Sequence, residues 1–197
     1  MIKISAKDIA ALRAKTDLPM MEVKEALVEA GGDETKAIEI LKEKGHKKVV
    51  KKSNRETLSG LIESYNHDGK IGVIVEVCTE TDFVAKNDQF KEFVHDLALH
   101  IAATNPKYLS EKDVPKVELD REIKEAKEQA EKEGKPKEIA EKIAKGKMSK
   151  YFEEVCLLNQ PFIKDDKKTI SDLLTELVAK IGENIKVSRF VRFELGE

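Results

Sequence analysis

The sequence predicts an α+β protein: a small N-terminal three-helix bundle, a linker, and a body whose mainly antiparallel sheet is flanked by helices. Apolar residues recur at helical spacing in three short segments of residues 1–45. An Asp68-Gly69 pair separates two segments with alternating apolar residues. A strongly apolar helical pattern and a last alternating segment follow within residues 169–195. These patterns place a helical bundle before a mixed body of helices and strands.

Capping residues mark the helices of the N-terminal bundle. Ser5, with Asp8 three residues later, forms a capping-box pattern at the start of the first helix. Pro19 opens the second helix, where the first turn tolerates proline. We expect Met21 at the surface, beside the core-facing stripe of the second helix. That stripe contains Met20, Val23, Leu27 and Ala30.

The third helix sets the predicted domain boundary. Asp33 is placed to cap this helix, and Gly45 is expected to close it. The basic segment 46–56 is predicted to be a linker, with a phosphate-binding patch as the less favoured alternative. The predicted domains are therefore the bundle of residues 1–45, this linker, and an α+β core of residues 57–197.

A β-hairpin is predicted around Asp68-Gly69, because this pair is the strongest short signal for a two-residue turn. Its second strand, within residues 70–78, alternates with one apolar face, made by Ile71, Val73, Val75 and Val77. The segment TETDFVAKND, residues 79–88, then leads into a helix over about 88–104. The buried stripe of that helix is expected to contain Phe90, Phe93, Val94, Leu97 and Ile101.

The second half of the chain predicts charged helices and a closing strand. The charged helical section covers about 119–155, with breaks expected near residues 134–136 and at Gly146. Thr169 is placed to cap a further helix, and Gly182 is placed to end it. The final strand is expected to carry one apolar face, made by Ile185, Val187, Val191, Phe193 and Leu195.

Composition and motifs exclude several classes of function. Charged residues make up 38% of the 197 residues, but the net charge is only −2, which disfavours bulk nucleic-acid binding. The sequence has neither a Walker-type phosphate loop nor a GxGxxG segment. Its four histidines lack the spacing of a zinc site. We therefore expect no enzymatic active site, no bound metal and no cofactor of the protein's own.

Cys78 and Cys156 are isolated cysteines, so we expect reduced thiols and a cytoplasmic location. The sequence has no apolar run near the length of a membrane span and no signal-peptide core. A hydrolase that uses Cys78 is an alternative, although a structural cysteine is favoured. RNA binding through residues 47–55 is another, which the net charge disfavours.

Phe83 is a candidate functional residue because it follows Thr81 and Asp82 where the strand must end. In one interpretation, the ring of Phe83 packs under the following helix. In the other, the strand and the helix form a rigid support for a loop whose aromatic ring enters a partner. Both interpretations are compatible with the residues themselves.

Residues 81–87, TDFVAKN, resemble the signature of the elongation factor Ts family, the guanine nucleotide exchange factors of bacterial translation. Residues 12–45 resemble the N-terminal helical domain of that family. Residues 134–166 resemble its middle section, and residues 180–197 resemble the C-terminal end of its short bacterial form. The segments occur in the same order as in the family and together cover nearly the whole chain.

The resemblance implies that the protein binds elongation factor Tu and promotes GDP release, without covalent chemistry, so that GTP can bind. Asp82 and Phe83 would enter the GTPase domain near the Mg²⁺ and the phosphates, which belong to the partner. The implied contact loop comprises Thr81, Asp82, Phe83, Val84, Ala85, Lys86 and Asn87. The implied N-terminal contact comprises Leu12, Arg13, Met20 and Met21. The resemblance also allows a homodimer through the core domain.

The alternative function is a protein-binding adaptor or chaperone without exchange activity. The predicted three-helix bundle resembles ubiquitin-associated domains, which bind protein surfaces. Altering Phe83 separates the two hypotheses. Loss of function with retained partner binding favours the exchange factor.

Overall fold

The computed structural model describes residues 4–134 and 136–197 and confirms the α+β class. The N-terminal helices are α1 (Ala6–Thr16), α2 (Met20–Glu29) and α3 (Glu34–Lys52). The hairpin strands β1 (Ser59–His67) and β2 (Ile71–Thr79) precede α4 (Asp82–Ala85), α5 (Asp88–Thr104), α6 (Lys116–Lys132) and α7 (Lys137–Val155). The short strands β3 (Pro161–Phe162) and β4 (Asp165–Thr169), then α8 (Ile170–Ile181) and β5 (Ile185–Glu194), complete the order.

The three N-terminal helices form a bundle around a small apolar core. The capping box of α1 is confirmed, since Ser5 and Asp8 exchange side-chain-to-backbone hydrogen bonds. Asp33 accepts a hydrogen bond from the Lys36 amide and so caps α3 as predicted. The core residues are Leu12, Val23, Ala26, Leu27, Ala37 and Leu41.

The predicted core position of Met20 is wrong, because its side chain is 53% exposed. Leu18, two residues earlier, packs against the bundle core instead. Met20 is the first residue of α2, so it extends past the end of the stripe that Val23 and Leu27 form. The surface position of Met21 is confirmed, with 62% exposure.

The prediction that Gly45 closes the third helix is also wrong, because α3 continues to Lys52. Gly45 is buried, and a Cβ added there would lie 3.3 Å from Thr175 Cγ2 on α8. The glycine therefore permits a close approach of two helices rather than a helix end. Most of the segment predicted as a linker is consequently helical, whereas the predicted domain division stays a prediction.

The basic residues of α3 are partly engaged in pairing within the chain. Lys44 and Lys48 pair with Glu29 and Glu22 of α2, with N–O distances of 2.9 and 2.6 Å. Lys52 donates a hydrogen bond to the carbonyl oxygen of Gly182. These pairs tie α3 to its neighbours and leave fewer cations for a phosphate-binding patch.

The predicted hairpin turn is confirmed. Asp68 and Gly69 both have positive φ, 52° and 69°, as a type I′ turn requires. The sheet has three strands in the order β1-β2-β5, and a two-stranded sheet pairs β3 with β4. The inner face of β2 is buried at Val73, Val75, Val77 and Thr79.

The predicted break at Gly146 is wrong, because α7 runs through it without interruption. A Cβ added at Gly146 would meet no described atom within 4 Å, so the glycine marks neither a turn nor a close contact. A single glycine costs a helix only about 1 kcal/mol relative to alanine, which packing of α7 against α6 can offset. The break between the two helices is confirmed, since α6 ends at Lys132 and α7 begins at Lys137.

The single apolar face predicted for the last strand is wrong. Ile185 and Val187 are buried, whereas Val191, Phe193 and Leu195 are exposed. Ser188 and Arg189 are both exposed, so the alternation of burial changes phase between them. A phase change of this kind is what an extra residue in a strand produces.

The chain divides into two compact units. One contains the residues up to Ile62 together with Glu76–Phe93 and Asp172–Ser188. It therefore includes the N-terminal bundle, α4 and most of α8. The other contains Glu63–Val75, Val94–Ser171 and Arg189–Glu197, including α6 and α7.

Candidate partner-binding site

Phe83 lies on the single-turn helix α4 and is 89% exposed. Its neighbour Asp82 is also exposed, with 74% of its side chain accessible. Val84, the next residue, is the one that packs inward. The interpretation in which Phe83 packs under the following helix is therefore wrong, and the loop presents an aromatic ring and a carboxylate to the solvent.

The start of this loop is held by a residue that sequence reasoning missed. Glu183, between α8 and β5, accepts a hydrogen bond from the Thr79 hydroxyl at 3.0 Å. It also accepts from the Thr81 backbone N–H at 3.1 Å and from the Thr81 hydroxyl at 2.7 Å. No local pattern in the sequence indicates this role for Glu183, which follows Gly182 at the end of α8. Its hydrogen-bond partners Thr79 and Thr81 are more than 100 positions away in the chain.

A second set of contacts lies beside the first. Glu80 accepts a hydrogen bond from the Asn184 backbone N–H at 2.6 Å. The Asn184 side-chain amide donates to the carbonyl oxygen of Arg55 at 2.9 Å. Arg55 in turn pairs with Glu80 at 3.3 Å. Because successive residues of an extended chain point to opposite sides, residues 79 and 81 contact Glu183 whereas residue 80 contacts Asn184.

The end of the loop is held by Asn87. Its side-chain oxygen accepts hydrogen bonds from the Gln89 N–H at 2.8 Å and from the Phe90 N–H at 3.3 Å. This cap starts α5, and Phe90 is fully buried. Lys86 pairs with Asp82 at 3.5 Å, but both side chains are largely exposed, so the pair adds little stability. The loop is thus fixed at both ends.

The predicted N-terminal contact residues divide into two groups. Arg13, Met20 and Met21 are exposed and available to a partner. Leu12 is only 1% exposed and belongs to the bundle core, so it supports the surface by packing. A direct contact between Leu12 and a partner stays a prediction that this geometry does not favour.

One connection brings the two predicted contact regions together. Asp17 ends α1 in the left-handed conformation, with φ 55°. Its carboxylate accepts a hydrogen bond from the Gln89 side chain at 3.2 Å and lies 3.8 Å from Lys180 Nζ. Gln89 follows the contact loop by two residues, and Met20 follows Asp17 by three. The chain segments leading to both surfaces therefore meet at Asp17.

The thiols are poorly suited to nucleophilic chemistry. Burial raises the pKa of the Cys156 thiol to about 11, with nearby Glu111 as a smaller cause. Burial also raises the pKa of Cys78, and the adjacent Glu76 carboxylate adds to this shift. Both thiols therefore stay protonated near neutral pH, which argues against the Cys78 hydrolase.

Within residues 4–134 and 136–197, no group of three or more His, Cys, Asp and Glu side chains is placed to hold a metal ion. No helix in the described part of the chain is long and apolar enough to cross a membrane. The expected cytoplasmic location and the expected lack of a cofactor stay predictions.

Comparisons with known proteins agree on one family. The sequence model of the family described as "Elongation factor TS" matches residues 5–197. Several similar curated proteins are named "Elongation factor Ts". That of Alkaliphilus oremlandii is 52% identical to this chain, over 98% of this chain and 90% of the relative. The protein of Acetivibrio thermocellus has 50% identity over 98% and 91%. That of Thermodesulfovibrio yellowstonii has 50% identity over 98% and 97%.

Proposed function

The chain belongs to the elongation factor Ts family, and on that basis we propose that it is a guanine nucleotide exchange factor for elongation factor Tu. The observation that carries the proposal is the exposed Phe83, held on a loop whose two ends are fixed by hydrogen bonds. A large exposed aromatic side chain on a rigid support is well suited to act as an anchor in a partner's pocket.

In the proposed mechanism, Asp82 and Phe83 enter the GTPase domain near the Mg²⁺ and the phosphates of bound GDP. The protein needs no nucleotide site, because exchange requires only that it bind the nucleotide-free partner more tightly than the GDP-bound partner. The coupling is reciprocal: GDP weakens binding of the exchange factor by the factor by which the exchange factor weakens GDP. The carboxylate of Asp82 brings a negative charge toward the metal and phosphate region, where it perturbs the ligands that hold GDP.

The magnitude of the effect requires more than one contact. Weakening GDP binding a thousandfold requires about 4 kcal/mol of differential binding. One buried aromatic anchor supplies about 2 kcal/mol or more. The proposed second contact is made by the N-terminal bundle, which would bind a helix of the same GTPase domain of elongation factor Tu. Its exposed side chains are those of Arg13, Met20 and Met21. Methionine side chains suit such a surface because they are flexible and polarisable.

A direct test is the release of a fluorescent GDP analogue from purified elongation factor Tu, with and without this protein. We expect strong acceleration by the unaltered protein and at least about a thirtyfold loss for Phe83→Ala, corresponding to about 2 kcal/mol. Val117→Ala, which truncates another exposed apolar side chain, is the matched control and should keep full activity. If the unaltered protein binds elongation factor Tu but leaves GDP release unchanged, the adaptor hypothesis replaces this proposal.

Self-association through the core domain is part of the proposal. β5 is an edge strand of the three-stranded sheet and carries the exposed Val191 and Phe193, and the exposed Leu195 follows directly after it. Such a strand offers both unpaired backbone groups and apolar side chains to a second copy. Sedimentation of the unaltered protein and of Phe193→Ser would test this, with a dimer expected for the first and a monomer for the second. If both the unaltered protein and Phe193→Ser sediment as monomers, the proposed self-association is refuted.

A further inference from the structure

We propose that Glu183 is a positioning residue that orients the Asp82–Phe83 loop for nucleotide exchange. This inference rests on the proposed function of that loop. Glu183 itself does not contact the partner. It acts through Thr79, the last residue of β2, and Thr81, which directly precedes Asp82 and Phe83.

The contact is specific because both carboxylate oxygens are used. Oε2 accepts from the Thr79 hydroxyl and the Thr81 backbone N–H, and Oε1 accepts from the Thr81 hydroxyl. Hydrogen bonds to an ionised carboxylate are stronger than those between neutral groups. Thr79 is fully buried, so its hydroxyl depends on this acceptor.

Thr81 is the residue through which the position of the loop is set. It occupies the N-cap position of α4, with φ −130° and ψ 155°. The hydroxyl of an N-cap threonine usually accepts from its own helix, but that of Thr81 donates to Glu183. Holding both the N–H and the hydroxyl of Thr81 fixes its backbone and its side-chain rotamer, and Asp82 and Phe83 follow directly.

A helix of one turn cannot maintain its own orientation, because helix nucleation is unfavourable and short helices are unstable alone. α4 has four residues, so its direction depends on what holds its ends. Glu183 itself is held firmly, since Asn184 is anchored to Glu80 and Arg55. A loop ordered in advance spares the complex the entropy of ordering it on binding.

The test measures GDP release as a function of the concentration of this protein, for the unaltered protein, Glu183→Gln, Thr81→Val and the double variant. Glutamine keeps the length of the side chain but replaces one acceptor oxygen with a donor. We expect each single variant to raise the half-maximal concentration about fivefold to tenfold, as is reasonable for the loss of a charged hydrogen bond. The maximal rate should change little, because Phe83 is still present.

The double variant should be impaired much less than the product of the two single effects, because the hydrogen bond between the Thr81 hydroxyl and Glu183 is shared by both substitutions. Thr81→Ser, which restores the hydroxyl, should return the half-maximal concentration to near its original value. Glu153→Gln makes the same charge change at an exposed site on α7 and should have no effect. A merely structural role would lower the folded fraction, which raises the half-maximal total concentration in the same proportion and leaves the maximal rate unchanged. Circular dichroism of each variant gives the folded fraction, and for a merely structural role the half-maximal concentration of folded protein would be unchanged.

Hydrogen exchange of the Thr81 amide in the isolated protein provides a second readout that does not depend on elongation factor Tu. We expect the amide to be protected in the unaltered protein and to exchange faster in Glu183→Gln. If the unaltered protein accelerates GDP release but the single variants match it, the positioning role is refuted and the proposed function stands. If the unaltered protein is inactive, both fail, and amide exchange still reports whether Glu183 orders the loop.

Discussion

The carboxylate of Asp17 accepts a hydrogen bond from the side-chain amide of Gln89 at a distance of 3.2 Å. This contact joins the turn between α1 and α2 to the first turn of α5. The exposed Met20 and Met21 follow the first segment, and Phe83 precedes the second. A direct polar contact therefore joins the chain segments that flank the two surfaces proposed to contact elongation factor Tu.

We expect this contact to support exchange by keeping the two surfaces in register. Asp17→Asn should retain most activity, because asparagine tolerates positive φ and its oxygen can still accept from Gln89. Asp17→Ala should reduce the apparent affinity for elongation factor Tu about threefold to fivefold, since it removes a hydrogen bond and strains a left-handed position. Titration of GDP release against protein concentration measures this difference, and equal behaviour of the two variants would contradict it.

Substitution of Phe83 should affect exchange but not stability, whereas substitution of its neighbour Val84 should lower stability. Phe83→Ala should leave the melting temperature nearly unchanged, because its ring is mostly in solvent. Val84→Ala should destabilise the protein by about 1 kcal/mol, because the lost methyl groups are buried. Thermal unfolding of both variants checks the prediction. A large loss of stability in Phe83→Ala would mean that the ring packs against the protein in solution.

Two glycines that lie inside helices should respond oppositely to a larger side chain. Gly146→Ala should stabilise the protein by about 0.5–1 kcal/mol, because it improves helix propensity at an exposed site. Gly45→Val should destabilise it by about 2 kcal/mol, because the new side chain would crowd Thr175 and Ala179. Urea unfolding gives both values. Stabilisation in both variants would show that α3 and α8 can move apart easily.

His100 should make stability depend on pH in the mildly acidic range. Its ring is fully buried, with Nε2 3.0 Å from Gln160 Oε1 and Nδ1 accepting from the Ile163 N–H at 3.4 Å. Burial lowers the pKa of His100 below its usual 6.5, although the hydrogen bond to Gln160 opposes the shift. The unfolded chain therefore binds the proton more readily, so stability is complete above about pH 6.5 and falls as the pH decreases below it.

Unfolding by urea between pH 7.5 and pH 5 would show this dependence. His100→Gln should have lower stability at neutral pH but a smaller loss on acidification, because the titrating group is gone. His67→Gln, at an exposed position on β1, should retain the slope of the unaltered protein. An unchanged slope in His100→Gln would assign the pH dependence to other groups.

Local patterns predicted the parts of the fold that depend on neighbouring residues. The capping box at Ser5, the cap at Asp33 and the turn at Asp68-Gly69 all form as expected, because each requires only residues within a few positions. The limits of α5 and α8 were predicted for the same reason. The loop carrying Asp82 and Phe83 was also identified from the sequence, through its place at a strand end and its resemblance to the family.

Tertiary packing decided what the sequence alone did not determine. Gly45 has the local appearance of a helix end, but the approach of α8 makes it a packing position inside α3. Alternation along β5 predicted one face, yet the phase changes after Ser188. Phe83 is exposed rather than packed under α5, and Glu183 accepts hydrogen bonds from Thr81, about a hundred positions away in the chain. Such contacts leave no periodic or neighbouring signal, because chain folding alone brings the two residues together.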